Sequence, residues 1–281
     1  MTSWDDLPKE TPKAYNAFYP EEKVIAFTFD DGPDWWTSYI LDVIDGTGDK
    51  VSFFITGYMM ERSNSYVEQV RRAMRLGCDV GIHAYYHEKN VYFKSSATDS
   101  SFDNFVREVV NLDKKYQELF GVKPQLYRPQ GGGFNPYKNY GYSLILWDID
   151  SLDWYTFDTY AEKYGGQFTG TSSENDWLRA QAADEIVERI LKDVQPGSIV
   201  LMHDVYNISR QAFAKVYPKL KEMGYKLVTV SELLGINPAE HHGQYFFSTF
   251  HYGYNGKEID LSKSAPAAVL ALPPKNEFES D

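Results

Sequence analysis

Asp31, His83 and His87 form the sharpest set of residues in this sequence that could do chemistry. Two imidazoles and one carboxylate are a ligand set of an open catalytic zinc site, with water in the remaining position. The same set serves non-haem iron, so the ligands alone do not name the metal. His83 and His87 are four residues apart, and one helical turn would place both rings on one side. Histidines at that spacing also occur on ordinary surfaces. Asp30 precedes Asp31, and neighbouring side chains diverge. One carboxylate can bind metal while the other acts as general base. A nearby cation would favour the charged form of that base and orient it, and Arg128, with its rigid fork, is the candidate. The plain alternatives are a polar turn at Asp30-Asp31-Gly32-Pro33 and a surface charge at Arg128.

His203 follows the apolar run Ile199-Val200-Leu201-Met202. A histidine there is often a hydrogen-bonded core residue, but Asp150 and Asp153 are plausible orienting partners. A carboxylate on one ring nitrogen raises imidazole basicity and fixes the tautomer, and the protonated ring could hand a proton to a leaving group. Gly131-Gly132-Gly133 frees backbone N–H groups that could face an oxyanion. Trp35, Trp36, Trp154 and Tyr155 stand next to these groups as possible platforms for sugar rings.

The elements that must position these residues alternate. Strands are predicted at 24–29, 51–56, 78–82, 125–127, 144–149, 198–202 and 226–230, from short apolar runs typical of strands buried on both faces. Helices are predicted at 39–44, 66–76, 102–120, 183–194 and 213–223, with Pro218 expected to kink or split the last, and a short helix from Ser231. Alternation of this kind argues for a parallel sheet covered by helices. Seven strands fit an α/β fold of the distorted, incomplete (β/α) barrel type, with seven or eight parallel strands. Asp30-Asp31, His83, Arg128, Asp150 and His203 each follow a predicted strand directly. In a parallel barrel those positions share the C-terminal rim, where active sites are built.

The chain has 281 residues, a formal charge of -12 and 43% hydrophobic residues, enough for a sizeable core. An acidic protein lacks the electrostatic footprint of a nucleic-acid binder and is a poor partner for anionic membranes. No apolar run is long enough to span a bilayer. Cys78 is the only cysteine, which excludes an intrachain disulfide and a thiolate cluster. Aromatics reach 16%, with 22 tyrosines, so neutral polymers remain natural partners.

The set Thr28-Phe29-Asp30-Asp31-Gly32, His83-Ala84-Tyr85-Tyr86-His87, Arg128-Pro129-Gln130-Gly131-Gly132, Asp150-Ser151-Leu152-Asp153-Trp154 and Leu201-Met202-His203 resembles five ordered motifs. They are those of carbohydrate esterase family 4, the NodB-like polysaccharide deacetylases, and the resemblance covers about residues 23–235. It implies metal-dependent hydrolysis of acetyl groups from sugars. By position, Asp30 would be the general base, Asp31, His83 and His87 the metal ligands, and Arg128 the holder of Asp30. Gly131 N–H would help stabilise the oxyanion, and Asp153 would tune His203, the general acid. Trp154 would line the substrate groove and Leu201 the pocket for the acetyl methyl. The implied cofactor is one divalent metal, Zn2+ first, with Co2+ or another divalent ion as alternatives. Two positions depart from the family pattern. Ala84 replaces a Ser or Thr whose hydroxyl would brace the loop, and Gln130 stands where a proline is usual.

These readings predict a metal-dependent deacetylase acting on N-acetylglucosamine in peptidoglycan or chitin-like oligomers. An O-acetyl xylan esterase and an inactive carbohydrate-binding barrel are the alternatives. The expected partner is an acetylated polysaccharide or oligosaccharide, with no nucleic acid and no membrane insertion, and the protein is expected to be a monomer. The expected divisions are an N-terminal extension at 1–22, a catalytic domain at 23–236 with an insertion at about 155–181, and an aromatic-rich extension at 237–281. Tyr245, Phe246, Phe247, Phe250, Tyr252 and Tyr254 are too apolar for a free tail and predict docking on the barrel. His241, His242 and His251 in the same stretch read as loop or surface residues rather than metal ligands. A secreted or cell-envelope location is implied. The polar, acidic stretch Met1–Glu10 does not read as a signal peptide, which leaves a cytoplasmic location open.

Overall fold

The computed structural model describes residues 3–6, 14–16, 21–87, 99–133, 140–156, 159, 173–236, 245–247 and 258–259. In chain order the first half holds β1 (Ala14–Asn16), β2 (Val24–Asp30), α1 (Thr37–Ile44), β3 (Ser52–Thr56), α2 (Gly57–Arg62), α3 (Asn64–Arg75) and β4 (Asp79–Ala84). Next come α4 (Asp99–Phe105), a π-helical turn at Val106–Val110, α5 (Asn111–Phe120), β5 (Leu126–Tyr127), β6 (Ser143–Ile145) and β7 (Ile149–Asp150). The chain continues through α6 (Ser173–Asp193), β8 (Ile199–His203), α7 (Asn207–Glu222), β9 (Lys226–Leu227), α8 (Val230–Leu234), β10 (Tyr245–Phe247) and β11 (Glu258–Ile259).

Seven strands in the order β6-β5-β4-β3-β2-β8-β7 run parallel and curl into an incomplete (β/α) barrel, as expected. Alternation along each strand sorts its side chains. Ile25, Phe27 and Phe29 of β2 join the large outer core under the helices, together with Phe53, Ile82, Tyr127, Val200 and Met202. Phe213 of α7 seals part of that layer, with its ring 5.3 Å from Phe27 and 5.2 Å from Phe29. The opposite set, Ala26, Phe54, Leu126, Ile145 and Ile199, packs inside the barrel, and Val230 and Leu233 of α8 plug it. Counting on in steps of two from this inner set reaches Thr28 and Asp30, Arg128, and Leu201 and His203. On β4, His83 lies one residue from the outward Ile82. The inner register thus brings the polar strand ends to one mouth.

Several elements differ from the sequence reading. The predicted strand 144–149 is two strands, because β6 pairs with β5 at one end of the parallel set and β7 with β8 at the other. Leu146-Trp147-Asp148 crosses between them, tied by Asp148 N to Ile199 O at 2.8 Å and Ile199 N to Asp148 Oδ2 at 2.7 Å. The last predicted strand is only Lys226–Leu227, since Thr229 caps α8 with its hydroxyl and Glu232 completes a capping box. Pro218 lies inside α7 without dividing it. Helix α6 starts at Ser173, earlier than predicted, within the stretch read as an insertion. Most of 155–181 lies outside the described residues. Backbone pairing joins β10 in parallel to β6 and β1, so Tyr245–Phe247 adds to the sheet edge. Phe250, Tyr252, Tyr254, His241, His242 and His251 lie outside the described residues. No helix among the described residues is long and apolar enough to cross a membrane.

Candidate active site

Asp31 follows the last residue of β2 with φ of 75°, in the left-handed region, just before a cis Gly32-Pro33 bond. Thr56 of β3 ties this turn down: its hydroxyl donates to Asp31 O at 2.9 Å and its N–H to Gly32 O at 2.7 Å. The turn aims Asp31 Oδ1 between two imidazoles, 3.4 Å from His83 Nε2 and 3.3 Å from His87 Nε2. One ligand atom from each of the three residues lies within 4.8 Å of the others. The helical turn expected to link the histidines is absent. His83 is on β4 and His87 in the turn beyond it, at φ 55°, which leaves the rings 5.1 Å apart.

Two observations test whether a divalent cation fits. Asp31 Oδ1 is buried and has no hydrogen-bond partner, a costly state for a carboxylate oxygen with no cation beside it. His83 Nδ1 lies 2.6 Å from the Arg128 carbonyl, which can only accept, so Nδ1 carries the proton and Nε2 keeps a lone pair. Burial pushes the His83 pKa below its ordinary value, against the pull of Asp30 and Asp31, and so favours the neutral, ligating form. The donor set fits such an ion.

Asp30 is reached from the other side by a buried cation. Arg128 is 0% exposed, and its Nη1 donates to Asp30 Oδ1 at 2.9 Å and to Thr28 Oγ1 at 2.7 Å. Its Nε donates to Ile145 O at 3.2 Å and Nη2 to Leu146 O at 3.1 Å. Phe54 lies against the guanidinium, 4.2 Å from its carbon to the ring centre. The surface alternative for Arg128 is therefore overturned. The fork does not clasp Asp30 bidentately; it spreads over one carboxylate, one hydroxyl and two carbonyls. Thr28 was not singled out from the sequence. The alternating pattern that puts Asp30 inside the barrel also puts Thr28 there.

His203 ends β8 opposite Asp30 in register. Its Nδ1 lies 2.7 Å from Asp153 Oδ1, and its backbone N–H donates to Asp153 Oδ2 at 2.7 Å. Asp153 also accepts from Trp154 N at 2.9 Å and Ser209 Oγ at 2.6 Å. Burial works against a charged ring, but the Asp153 carboxylate and its hydrogen bond outweigh it, with help from Asp31 and Asp30. The His203 pKa is pushed up to about 10. Burial would raise the Asp153 pKa, yet His203 and the bonds from Ser209 and the His203 N–H hold it below its ordinary value. Asp150, the other candidate partner, instead accepts from Leu152 N at 2.8 Å.

Gly131 lies in a 3-10 turn at Gln130–Gly132 with φ of 56°, a conformation that glycine adopts freely. That turn is closed by Gly132 N and Gly133 N, at 3.0 and 3.1 Å, and not by the Gly131 N–H. Gln130 is buried, with Nε2 unpaired. Leu201 is buried on β8, and Trp154 is half-buried with its ring 5.9 Å from Tyr155. Trp35 is exposed, and Trp36 is half-buried beneath the Arg210 guanidinium at 4.9 Å. Asp204 went unnoticed in the sequence. It is buried, its Oδ2 accepts from the Thr37 hydroxyl at 2.5 Å, and its Oδ1 faces Gly32 without a partner.

A parallel barrel with ionisable groups gathered at the ends of several strands is the architecture of a barrel enzyme. The sequence profile of the family described as Polysaccharide deacetylase matches residues 19–144. A peptidoglycan-N-acetylglucosamine deacetylase of Bacillus cereus is 32% identical over 222 residues, 76% of this chain and 89% of that protein. The peptidoglycan-N-acetylmuramic acid deacetylase PdaC of Bacillus subtilis is 29% identical over 230 residues, 81% of this chain and 41% of that longer protein. The Xyl-CE4 domain of a multidomain xylanase from the Trinervitermes trinervoides hindgut metagenome has a TM-score of 0.60 at 26% identity, covering 81% of this chain and 98% of that one. This chain belongs to the polysaccharide deacetylase family.

Proposed function

We propose that the chain is a metal-dependent deacetylase that removes the N-acetyl group from N-acetylglucosamine residues of peptidoglycan or chitin-like oligomers. The observation that carries the reading is the unpartnered Asp31 oxygen facing two imidazole nitrogens, with Asp30 and His203 in register beside it. Asp31, His83 and His87 would hold one divalent ion, zinc first, with cobalt or another divalent ion as alternatives. Such an ion supplies Lewis acidity to the acetyl carbonyl and acidifies water.

The chain's own groups divide the remaining work. Asp30, held by Arg128, takes a proton from the attacking water. Gly131 N–H donates to the oxygen that gains charge on the acetyl carbon. His203, held protonated by Asp153, gives its proton to the departing nitrogen as the C–N bond breaks, so acetate and a free amine leave. An amine is a poor leaving group, and a strongly basic, protonated imidazole suits it; this favours the amide over the ester. Leu201 borders the acetyl methyl and Trp154 the sugar. The names of the Bacillus relatives support a glucosamine-containing cell-wall substrate and a secreted or cell-envelope setting. Residues 23–236 would form the catalytic unit, acting as a monomer.

The test is acetate release from N-acetylglucosamine oligomers and from acetylated xylan, with and without a chelator. Chelator-sensitive release from the first, restored by zinc, is expected. Release from xylan alone would make the protein an esterase. No release from either by metal-loaded protein would sink the reading in favour of a binding barrel.

A further inference from the structure

Two of the three residues proposed as metal ligands have left-handed backbones, which side-chain-bearing residues adopt only when the surroundings hold them there. Thr56 holds Asp31. The brace on His87 comes from a different place. Ala84 offers only a methyl group, but Glu108 reaches across from the helical rod. Its Oε2 accepts from Tyr86 N at 2.7 Å and His87 N at 3.2 Å, while Oε1 lies 3.3 Å from Arg107 Nε. The same loop is anchored upstream by Tyr58 N donating to Tyr85 O at 2.8 Å and by the Tyr85 hydroxyl donating to Glu61 at 2.6 Å.

Glu108 is 1% exposed, on a surface otherwise built from Phe105, Val109 and Leu112. Packing alone would be better served there by an apolar side chain, because a buried carboxylate is costly unless bonded. It also lies within the π-helical turn between α4 and α5. A π turn takes in one residue more than an α turn, so it changes which side chains face the sheet, and such turns are frequent at functional sites.

We propose that Glu108 is a positioning residue that holds the Tyr86-His87 backbone in its left-handed turn and thereby sets the affinity of the Asp31-His83-His87 site for a divalent ion. This rests on the metal reading above. The test measures zinc affinity by competition with a chromophoric chelator for wild type, Glu108→Ala and Glu108→Gln. Visible spectra of the cobalt-loaded proteins and melting curves of the metal-free proteins accompany it. Outer partners of metal ligands typically control roughly 10–100-fold in affinity, and that loss is expected for Glu108→Ala, with an altered cobalt spectrum. Glu108→Gln keeps one oxygen able to accept from both N–H groups, so it should recover most of the affinity while still binding a few-fold more weakly than wild type. A folded Glu108→Ala that binds zinc like wild type overturns the proposal. If Glu108→Ala does not fold, Glu108→Gln decides: affinity and cobalt spectrum identical to wild type overturn it. Wild type that binds no zinc overturns the metal reading and this one with it, whereas equal binding by folded Glu108→Ala and wild type overturns this one alone.

Discussion

Asp153→Asn would remove the carboxylate that keeps His203 protonated while keeping nearly the same side-chain shape. The His203 pKa stands at about 10 against an ordinary 6.5, and its side chain is only 13% exposed, so screening by water is limited. At about 1.4 kcal/mol per tenfold, the folded protein prefers the charged ring by something on the order of 4–5 kcal/mol. Without Asp153, burial acts against the charge with only the more distant Asp30 and Asp31 opposing it. The ring should then titrate near or below 6.5. At pH 8 a group of pKa 6.5 is protonated in about one molecule in thirty, so acetate release should fall by at least that factor. The deficit should shrink toward pH 6, where protonation recovers. The stability sign follows the same way. A raised folded-state pKa contributes stability that is fully present below pH 6.5 and is lost as pH rises through about 10. Melting temperature of the metal-free wild type should therefore decline across that window, and the variant should decline less. Asparagine also turns an N–H group toward some of the four donors that Asp153 accepts from, at a cost of about 1–3 kcal/mol. That cost does not depend on pH, which separates misfolding from lost proton donation. A wild type and an Asp153→Asn variant with the same alkaline limb of activity would refute the assignment of His203 as the proton donor.

Two further substitutions probe the supports. Thr28→Val removes the hydroxyl that accepts from Arg128 and donates to Val200 O at 2.7 Å, leaving both partners buried. It should lower unfolding free energy by about 1–3 kcal/mol in denaturant melts, and an unchanged midpoint would show that the buried guanidinium has no need of it. Gly32→Ala would set a Cβ 2.2 Å from Asp204 Oδ1, too close for any side-chain rearrangement limited to the carboxylate tip, since Cγ is 2.4 Å away. The turn carrying Asp31 must shift, and a misplacement of about an ångström should cost roughly a hundredfold in acetate release. Full activity in that variant would mean that the turn relaxes without moving Asp31.

The sequence made the strand-end groups legible because their position follows from local pattern. An apolar run followed by Asp30, His83, Arg128 or His203 marks a strand and its end, and the parallel topology then gathers the ends. What holds those groups was harder to read, because it depends on pairs far apart in the chain. Thr28 meets Arg128 across 100 residues, Ser209 meets Asp153 across 56, and Thr37 meets Asp204 across 167. No spacing rule announces such contacts. Residue pattern alone left Asp150 and Asp153 both open as partner of His203 for the same reason, since two carboxylates three residues apart look alike until β7 and the turn after it have a direction. The motif resemblance pointed to Asp153, and that is the carboxylate His203 meets. The single strand read across 144–149 failed because an open barrel needs a link between its two ends, and Leu146-Trp147-Asp148 supplies it while keeping a strand-like composition.

The two buried pairs at the mouth differ in one chemical respect that divides the work between them. Arg128 cannot release its proton in a protein, so its pairing with Asp30 is a fixed electrostatic frame at every working pH. His203 can release its proton, and Asp153 determines how readily. Exchanging the cations would leave a site with the same net charge and no proton to give. The four donors that converge on Asp153, against a single guanidinium nitrogen on Asp30, follow from that division. All four bonds to the Asp153 carboxylate hold it in place, whereas Asp30 keeps an oxygen, Oδ2, turned toward His83 at 3.9 Å, beyond hydrogen-bond distance. An oxygen in that position is open to take up a proton in the proposed reaction, whereas each Asp153 oxygen already accepts two bonds.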